Sequence, residues 1–326
     1  MDLSNIEFGD FSDLVEKEYL ERQDSMPLVV RQLFLEPSME GKGDRVRFDE
    51  YDVETFALRK LEGDDASATS PALGYNKTMI AERYAREINV TEEARMFNKY
   101  QKVYNDIVSL AEFIPQRMEL NATHLFSFAD STAFTDMDGN SVDVSVGDGL
   151  ALVSSVHTLT GSSSTYSNVV PGNPQISQGA LELAEVVART EILSNFGEQR
   201  RMNFNTIVTH DDPATERTVR QILQSTADID AAHAGVDNVY KGRYRHLSLP
   251  YLASTAAGVY DSTKAKRWFL IAAQQWKAYL GVWEPARLKK PTEDTHNDNW
   301  TYGTRGTFKP MAVSGRGLIM SDGTGS

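Results

Sequence analysis

Asp136, Asp138, Asn140 and Asp143 crowd oxygen-bearing side chains into a few residues and could supply ligands to a calcium ion. The spacing does not carry that chemistry through. An EF-hand loop needs a glycine directly after its third ligand position and a glutamate at its twelfth, whereas Ser141 follows Asn140 and residue 147 is a glycine. Asp138-Gly139 instead predicts the tight turn of a hairpin. His210-Asp211-Asp212 offers a carboxylate-oriented histidine or part of a metal cluster. It falls between a strand pattern and a helix pattern, where aspartates cap helices, and no second histidine lies at a ligand spacing. His157 follows Ser154 and Ser155, a nucleophile-and-base pairing in outline, but no G-x-S-x-G elbow surrounds them.

Phosphate and nucleic-acid chemistry fare no better. Gly41-Lys42-Gly43 lacks the longer glycine-lysine cradle of a nucleotide loop. Lys264, Lys266 and Arg267 precede Trp268, a combination able to stack on bases, although a solvated strand edge accounts for it too. Arg200 and Arg201 read as partners for a helix dipole or for an acidic neighbouring subunit. The chain has 46 acidic against 33 basic residues and a net charge of −13, the wrong balance for gripping phosphates along a basic face. It has no cysteine, which removes disulfides, thiolate zinc sites and a cysteine nucleophile. The first residues lack the basic-then-apolar order of a secretory signal, and no apolar run approaches the ~18 residues of a membrane span. A soluble protein is expected, and its 326 residues suffice for a core without staples.

The elements that would position these residues follow from periodicity. Residues 1–43 carry ten acidic and four basic side chains. Leu14, Val15, Tyr19 and Leu20 make one short helical face before Met26-Pro27 interrupts it, so this region reads as an arm that lies on something else. Val46, Phe48 and Tyr51 alternate loosely, with Thr55–Leu58 able to pair back, around a solvated tip from Glu62 to Gly74. Residues 78–90 fit a helix by propensity and a strand by their β-branched ending. A helix is predicted from Thr91 to about Glu112. Met96, Tyr100, Val103, Ile107, Leu110 and Ile114 recur on one face of it, and Pro115 should end or kink it. Residues 131–146 read as a hairpin. Leu181, Ala184, Val187 and Ala188 line a helix from near Ser177, and Phe204–Thr209 is a buried strand. Pro213 opens a second helix faced by Val219, Ile222 and Leu223. Strands are expected over Tyr244–Tyr251 and Trp268–Ala272, and short strand-like pieces over Tyr279–Met320.

One series of motifs has a specific order. Leu150–Asn168 runs from aliphatic residues through serines and His157 to a glycine-serine loop and Tyr166-Ser167-Asn168. The apolar helix face Leu181–Ala188, Gly197, the strand at Ile207-Val208 and the helix ending Leu223-Gln224-Ser225 follow. Asn299-Trp300-Thr301 with Gly303 and Arg305 closes the series. This series resembles the major capsid proteins of tailed phages, which share the Hong Kong 97-type fold, and the resemblance spans nearly the whole chain.

The resemblance implies an α+β chain with an N-terminal arm (1–43) and an extended β-loop (44–78). A peripheral domain with a long spine helix (79–149), an axial domain (150–265) and return strands completing the peripheral domain (266–326) would follow. It implies that Leu14, Tyr19, Leu28 and Phe34 of the arm, and Glu62, Asp64, Asp65 and Pro71 at the loop tip, meet neighbouring subunits. The implied function is an icosahedral shell of hexamers and pentamers around double-stranded DNA, held without sequence-specific binding. Such a protein is made in the host cytoplasm, resides in the virion and needs no cofactor or catalytic residue. The short arm implies a separate scaffolding protein. A portal protein at one vertex and a decoration protein are further implied partners. Neither Lys60 nor Lys77 matches the lysine some relatives crosslink, so non-covalent stabilisation is expected. An encapsulin-like compartment shell, another virion component and an enzyme with an unfamiliar site remain the alternatives.

Overall fold

The computed structural model describes residues 8–25, 28–52, 56–63, 65–66, 71–93, 100–227, 237–273, 275–293 and 299–325. Its longest helix, α2 (Tyr100–Ser127), crosses a three-stranded antiparallel sheet of β11 (Ala278–Glu293), β12 (Trp300–Ala312) and β3 (Glu82–Val90), in that order. Residues 78–90, which suit either structure locally, are strand except at Ala81: residues 78–80 pair with residues 45–47, and nine registered pairs from Glu82↔Phe308 to Val90↔Trp300 hold the rest.

Ile107, Leu110 and Ile114 of the predicted face are buried on α2, while Met96 and the side chains of Tyr100 and Val103 lie outside the described residues. The predicted end near Glu112 is wrong. The helix runs through Pro115 to Ser127, although proline leaves the Ala111 carbonyl without its helical donor. The apolar spacing continues past the proline, and Met118, Ala122, Leu125 and Phe126 all enter the main core, which offsets the local cost.

The arm forms α1 (Phe8–Ser25) and a 3-10 turn (Val30–Leu33). It does not stand apart from its own chain. Val15 and Tyr19 are enclosed with Val90, Ile107, Leu110, Ala111 and Tyr302, and the Tyr19 hydroxyl hydrogen-bonds Thr304 Oγ1 at 2.5 Å. Arg22 donates to Glu112 at 2.6 Å. Phe34 packs edge-on to Phe126 and against Trp276, and Leu28 covers the same core. Leu35 joins the edge of β11 through two 2.9 Å backbone bonds to Ala278 and Leu280. Tyr19 and Phe34 are therefore core residues of this chain rather than contacts held out to a neighbour, because α2 and the sheets already offer them an apolar surface, and Leu28 is half-buried against the same core. The Leu14 side chain lies outside the described residues.

A second sheet has the order β13 (Leu318–Ser321), β10 (Trp268–Ile271), β8 (Thr206–His210), β9 (Arg245–Leu249). Its inner strands are buried on both faces, and alternate residues serve two different cores. Val208, Phe269, Ile271, Leu318 and Met320 face α2, whereas Ile207, Trp268, Leu270 and Ile319 face α3 (Gln178–Thr190) and α4 (Pro213–Gln224). The boundary expected at residues 265 and 266 thus cuts through one sheet: β10 and β13 complete the sheet of β8 and β9, and only β11 and β12 return to β3. Nor is Tyr279–Met320 made of short pieces. β11 and β12 form one long ribbon with three register shifts, and Pro285, unable to donate to the ladder, sits inside one of them.

β1 (Arg45–Asp52) and β2 (Ala72–Ile80) form the long antiparallel hairpin. The partner of β1 is Ala72–Ile80, not the Thr55–Leu58 stretch; residues 56–58 form no strand and Thr55 lies outside the described residues. β4 (Ala133–Thr135) and β5 (Ser141–Asp143) form a small hairpin, and β6 (His157–Thr158) pairs with β7 (Thr165–Tyr166).

Candidate functional site

The residues with the outward look of chemistry are used to build structure. Asp136 Oδ1 accepts the backbone N–H groups of Asp138 and Asn140 at 3.0 and 2.8 Å, and Gly139 takes the left-handed conformation, φ 82°, that closes the turn. Arg117 holds Asp138 at 2.7 Å. Among the described residues no group of three or more acidic or histidine side chains could hold a metal. Asp212 caps α4 by accepting the Thr215 N–H at 2.9 Å, and this bond with that of the Thr215 hydroxyl holds its carboxyl below the usual range. Asp211 accepts from Ser248, and His210 is buried against Tyr260.

The basic trio before Trp268 is not a solvated edge. Lys264 and Arg267 are buried, with the Lys264 ammonium 3.7 Å from the centre of the Phe128 ring and Arg267 paired to Asp130 at 2.6 Å. Only Lys266 of the three is exposed. The Trp268 indole donates to the Pro174 carbonyl. Arg200 does not serve a helix dipole: α3 ends at Thr190, and Arg200 pairs with Asp52 of its own chain at 2.9 Å.

His157 is enclosed. Its Nδ1 lies 2.8 Å from Asp148 Oδ2, and its ring stacks on its strand partner Tyr166 at 4.7 Å. Burial alone would push the Asp148 carboxyl up. The bonds from His157, Leu150 and Thr158 outweigh it and hold the group below the usual carboxylate range. The Ser154 hydroxyl accepts the Val156 N–H instead of engaging the ring. Asn168, fully buried, accepts the Ser154 N–H and donates to the carbonyls of Leu152 and Gly315 at 2.8, 2.9 and 3.1 Å. The Tyr-Ser-Asn motif is therefore a staple between the 150s segment and the turn before β13.

Beyond Tyr166 lies a group of charges that the sequence reading missed. The Arg316 guanidinium sits over the Tyr166 ring at 5.4 Å and donates to Glu50 Oε1 at 3.0 Å and to Asn195. Asp52, two residues along the same hairpin strand, accepts the Asn195 N–H and Arg200, each at 2.9 Å, and lies 3.8 Å from Arg316. Lys277 reaches Glu50 at 4.0 Å. Glu50 and Asp52 are only 3% and 7% exposed. Gly74, across the hairpin, must be glycine: a Cβ there would meet Asn195 Nδ2 at 2.7 Å and the Glu50 carbonyl at 3.0 Å. The signal was the alternation itself. Val46, Phe48, Glu50 and Asp52 share the inward face, and Tyr51, counted with the apolar series, points out and is 60% exposed.

No family model and no curated protein matches the chain. Solved structures do. The capsid of Ralstonia phage GP4 matches over 89% of this chain and 87% of its own, with a TM-score of 0.53 and 15% identity. The structure described as Microbacterium phage Oxtober96 matches over 89% of each chain, with a TM-score of 0.50 and 12% identity. The chain has the Hong Kong 97-type capsid fold. As built by this chain, the capsid-type fold leaves large apolar side chains bare on the hairpin and the residues that follow β1. Tyr51 and its cross-strand partner Leu73 are in solvent, as are Phe56, Leu58 and Leu61. Glu62, Asp65 and Pro71 are exposed beside them, and Asp64 lies outside the described residues.

Proposed function

We propose that this chain is the major capsid protein of a tailed phage and that its work is to assemble an icosahedral shell around double-stranded DNA. The observation that carries this reading is a capsid-type fold whose long hairpin is anchored at its root and bears exposed Tyr51, Phe56, Leu58, Leu61 and Leu73. Covering one such side chain contributes roughly 1.5–3 kcal/mol. Each subunit contact is modest, and closure of the shell multiplies it.

In this reading the hairpin is the extended loop and α2 the spine helix. The region around α3 and α4 is the axial part of hexamers and pentamers. The loop from Glu62 through Asp64 and Asp65 to Pro71 meets a neighbouring subunit. The arm contributes through α1 as laid on α2, not through Tyr19 or Phe34. A separate scaffolding protein, a portal at one vertex and a decoration protein are the partners this role calls for, in a particle made in the host cytoplasm. The charge of −13 suits a lining that lets DNA move, since like charges repel within a Debye length of ~8 Å. The work is structural, not catalytic.

Expression of the chain with and without a candidate scaffolding protein, followed by negative-stain microscopy, tests this. Uniform closed shells are expected. Monomers alone under both conditions would sink the reading, and shells enclosing protein cargo would move it to a compartment shell.

A further inference from the structure

We infer that Glu50, Asp52, Arg200 and Arg316 form a clasp that fixes the angle at which the hairpin leaves the body, which makes them positioning residues for assembly. The inference rests on the capsid reading for its purpose and on the hairpin's own geometry for its substance.

A two-stranded hairpin has marginal stability by itself. Its apolar support is confined to the root, where Phe48 stacks on Tyr279 at 4.2 Å and Met79 is buried with Met39, Met311 and Val313. Beyond Phe48 the inward face turns acidic, and an apolar surface would expel it. The body instead presents Arg316, Arg200 and Lys277, together with the Asn195 N–H. Buried carboxylates without partners cost several kcal/mol, so Glu50 and Asp52 stay inside only while those partners stay in place. The approach of Gly74 to Asn195 holds the opposite strand at the same level. The clasp thus carries the fixed part of the hairpin from Phe48 and Lys77 out to Asp52 and Ala72, a cross-strand pair, and everything beyond is lever.

The clasp ties the hairpin to two separate stretches of chain. Asn195 and Arg200 belong to the loop after α3. Arg316 belongs to the turn before β13, where Asn168 also bonds the Gly315 carbonyl. Loss of one ion pair should free the outer hairpin while its root and the sheets stay closed. That pattern separates a positioning role from a general contribution to stability.

Hydrogen exchange on the full-length chain reads this directly, using Asp52→Asn, Glu50→Gln and Arg200→Gln, with Arg200→Lys as the conservative control. Arg200 lies at the rim, so its variants leave the core intact and report even if Glu50→Gln or Asp52→Asn fails to fold. Exchange in residues 72–75 should rise at least about tenfold in Arg200→Gln, the scale of one lost charged hydrogen bond. Residues 77–80 and 206–210 should stay within about twofold of the parent, and Arg200→Lys should restore most of the protection. Closed-shell yield should fall with the same variants and recover in Arg200→Lys. Unchanged exchange in 72–75, or an equal rise in every strand, overturns the clasp. A parent chain that builds no shells overturns the capsid reading and leaves the exchange result standing.

Discussion

Glu119, in the second half of α2, accepts the backbone N–H of Val30 at 2.9 Å and so pins the 3-10 turn of the arm to the long helix. The carboxyl is 4% exposed, and burial pushes it from its ordinary 4.5 up to about 7, against the pull of the Val30 and Val29 N–H groups.

The sign of the resulting pH dependence follows from the raised value. The folded chain holds the Glu119 proton more tightly than the unfolded chain. This group's contribution to stability therefore falls as pH rises from about 4.5 to about 7 and is level above that. The loss is on the order of 3 kcal/mol. Thermal unfolding should show Glu119→Gln gaining on the parent as pH rises from about 5 to about 7, with the difference level above that. Parallel curves for the two proteins would refute the assignment.

Gly315 faces His157 and Asn168 closely enough to forbid a side chain. A Cβ would lie 2.7 Å from His157 Nε2, 2.8 Å from the Leu152 carbonyl and 3.0 Å from Asn168 Nδ2. Gly315→Ala should therefore cost about 2–3 kcal/mol, read as a lower denaturant midpoint with an unchanged slope. Gly43, with nothing near its Cβ position, is the control and should tolerate alanine.

The buried Tyr19 fixes α1 to β12. Removing only its hydroxyl, as Tyr19→Phe, should cost about 1 kcal/mol, and Tyr19→Ala about 3–5 kcal/mol of α1 docking. Limited proteolysis within residues 8–25 should accelerate in the alanine variant. An α1 equally resistant in both variants would show that the ring does not hold it.

Tyr51 and Leu58 are 60% and 70% exposed. The double change Tyr51→Ser, Leu58→Ser should shift unfolding by no more than about 0.5 kcal/mol while sharply lowering the yield of closed particles. Melting curves and particle counts together decide it: equal particle yields would rule out the hairpin as an assembly surface.

Periodicity made much of this molecule legible. Ile207-Val208 and Trp268–Ile271 announced themselves as doubly buried strands by their unbroken apolar runs, and Ser177, Asp212 and Pro213 marked helix starts by cap chemistry. The order of motifs around His157 and Asn168 carried the capsid-type fold. What stayed hidden depended on partners far away in the chain. Pro115 reads locally as a stop, and only the core contacts of Leu125 and Phe126 keep the helix going. Glu50 and Asp52 find their partners, Arg316 and Arg200, 266 and 148 residues away. Tyr19 and Phe34 dock on surfaces built from distant parts of the chain, Ile107 and Tyr302 for the one and Phe126 and Trp276 for the other.

The two-faced sheet of β13, β10, β8 and β9 has a consequence for how the chain can come apart. Trp268 and Leu270 complete one core while Phe269 and Ile271, on the same four-residue strand, complete the other. A fragment ending at residue 265 would lose β10 and β13, two of that sheet's four strands, so the region around α3 and α4 should not fold without the rest of the chain. Removing β10 exposes both interiors at once, and the described body should unfold in a single cooperative step instead of shedding one half before the other.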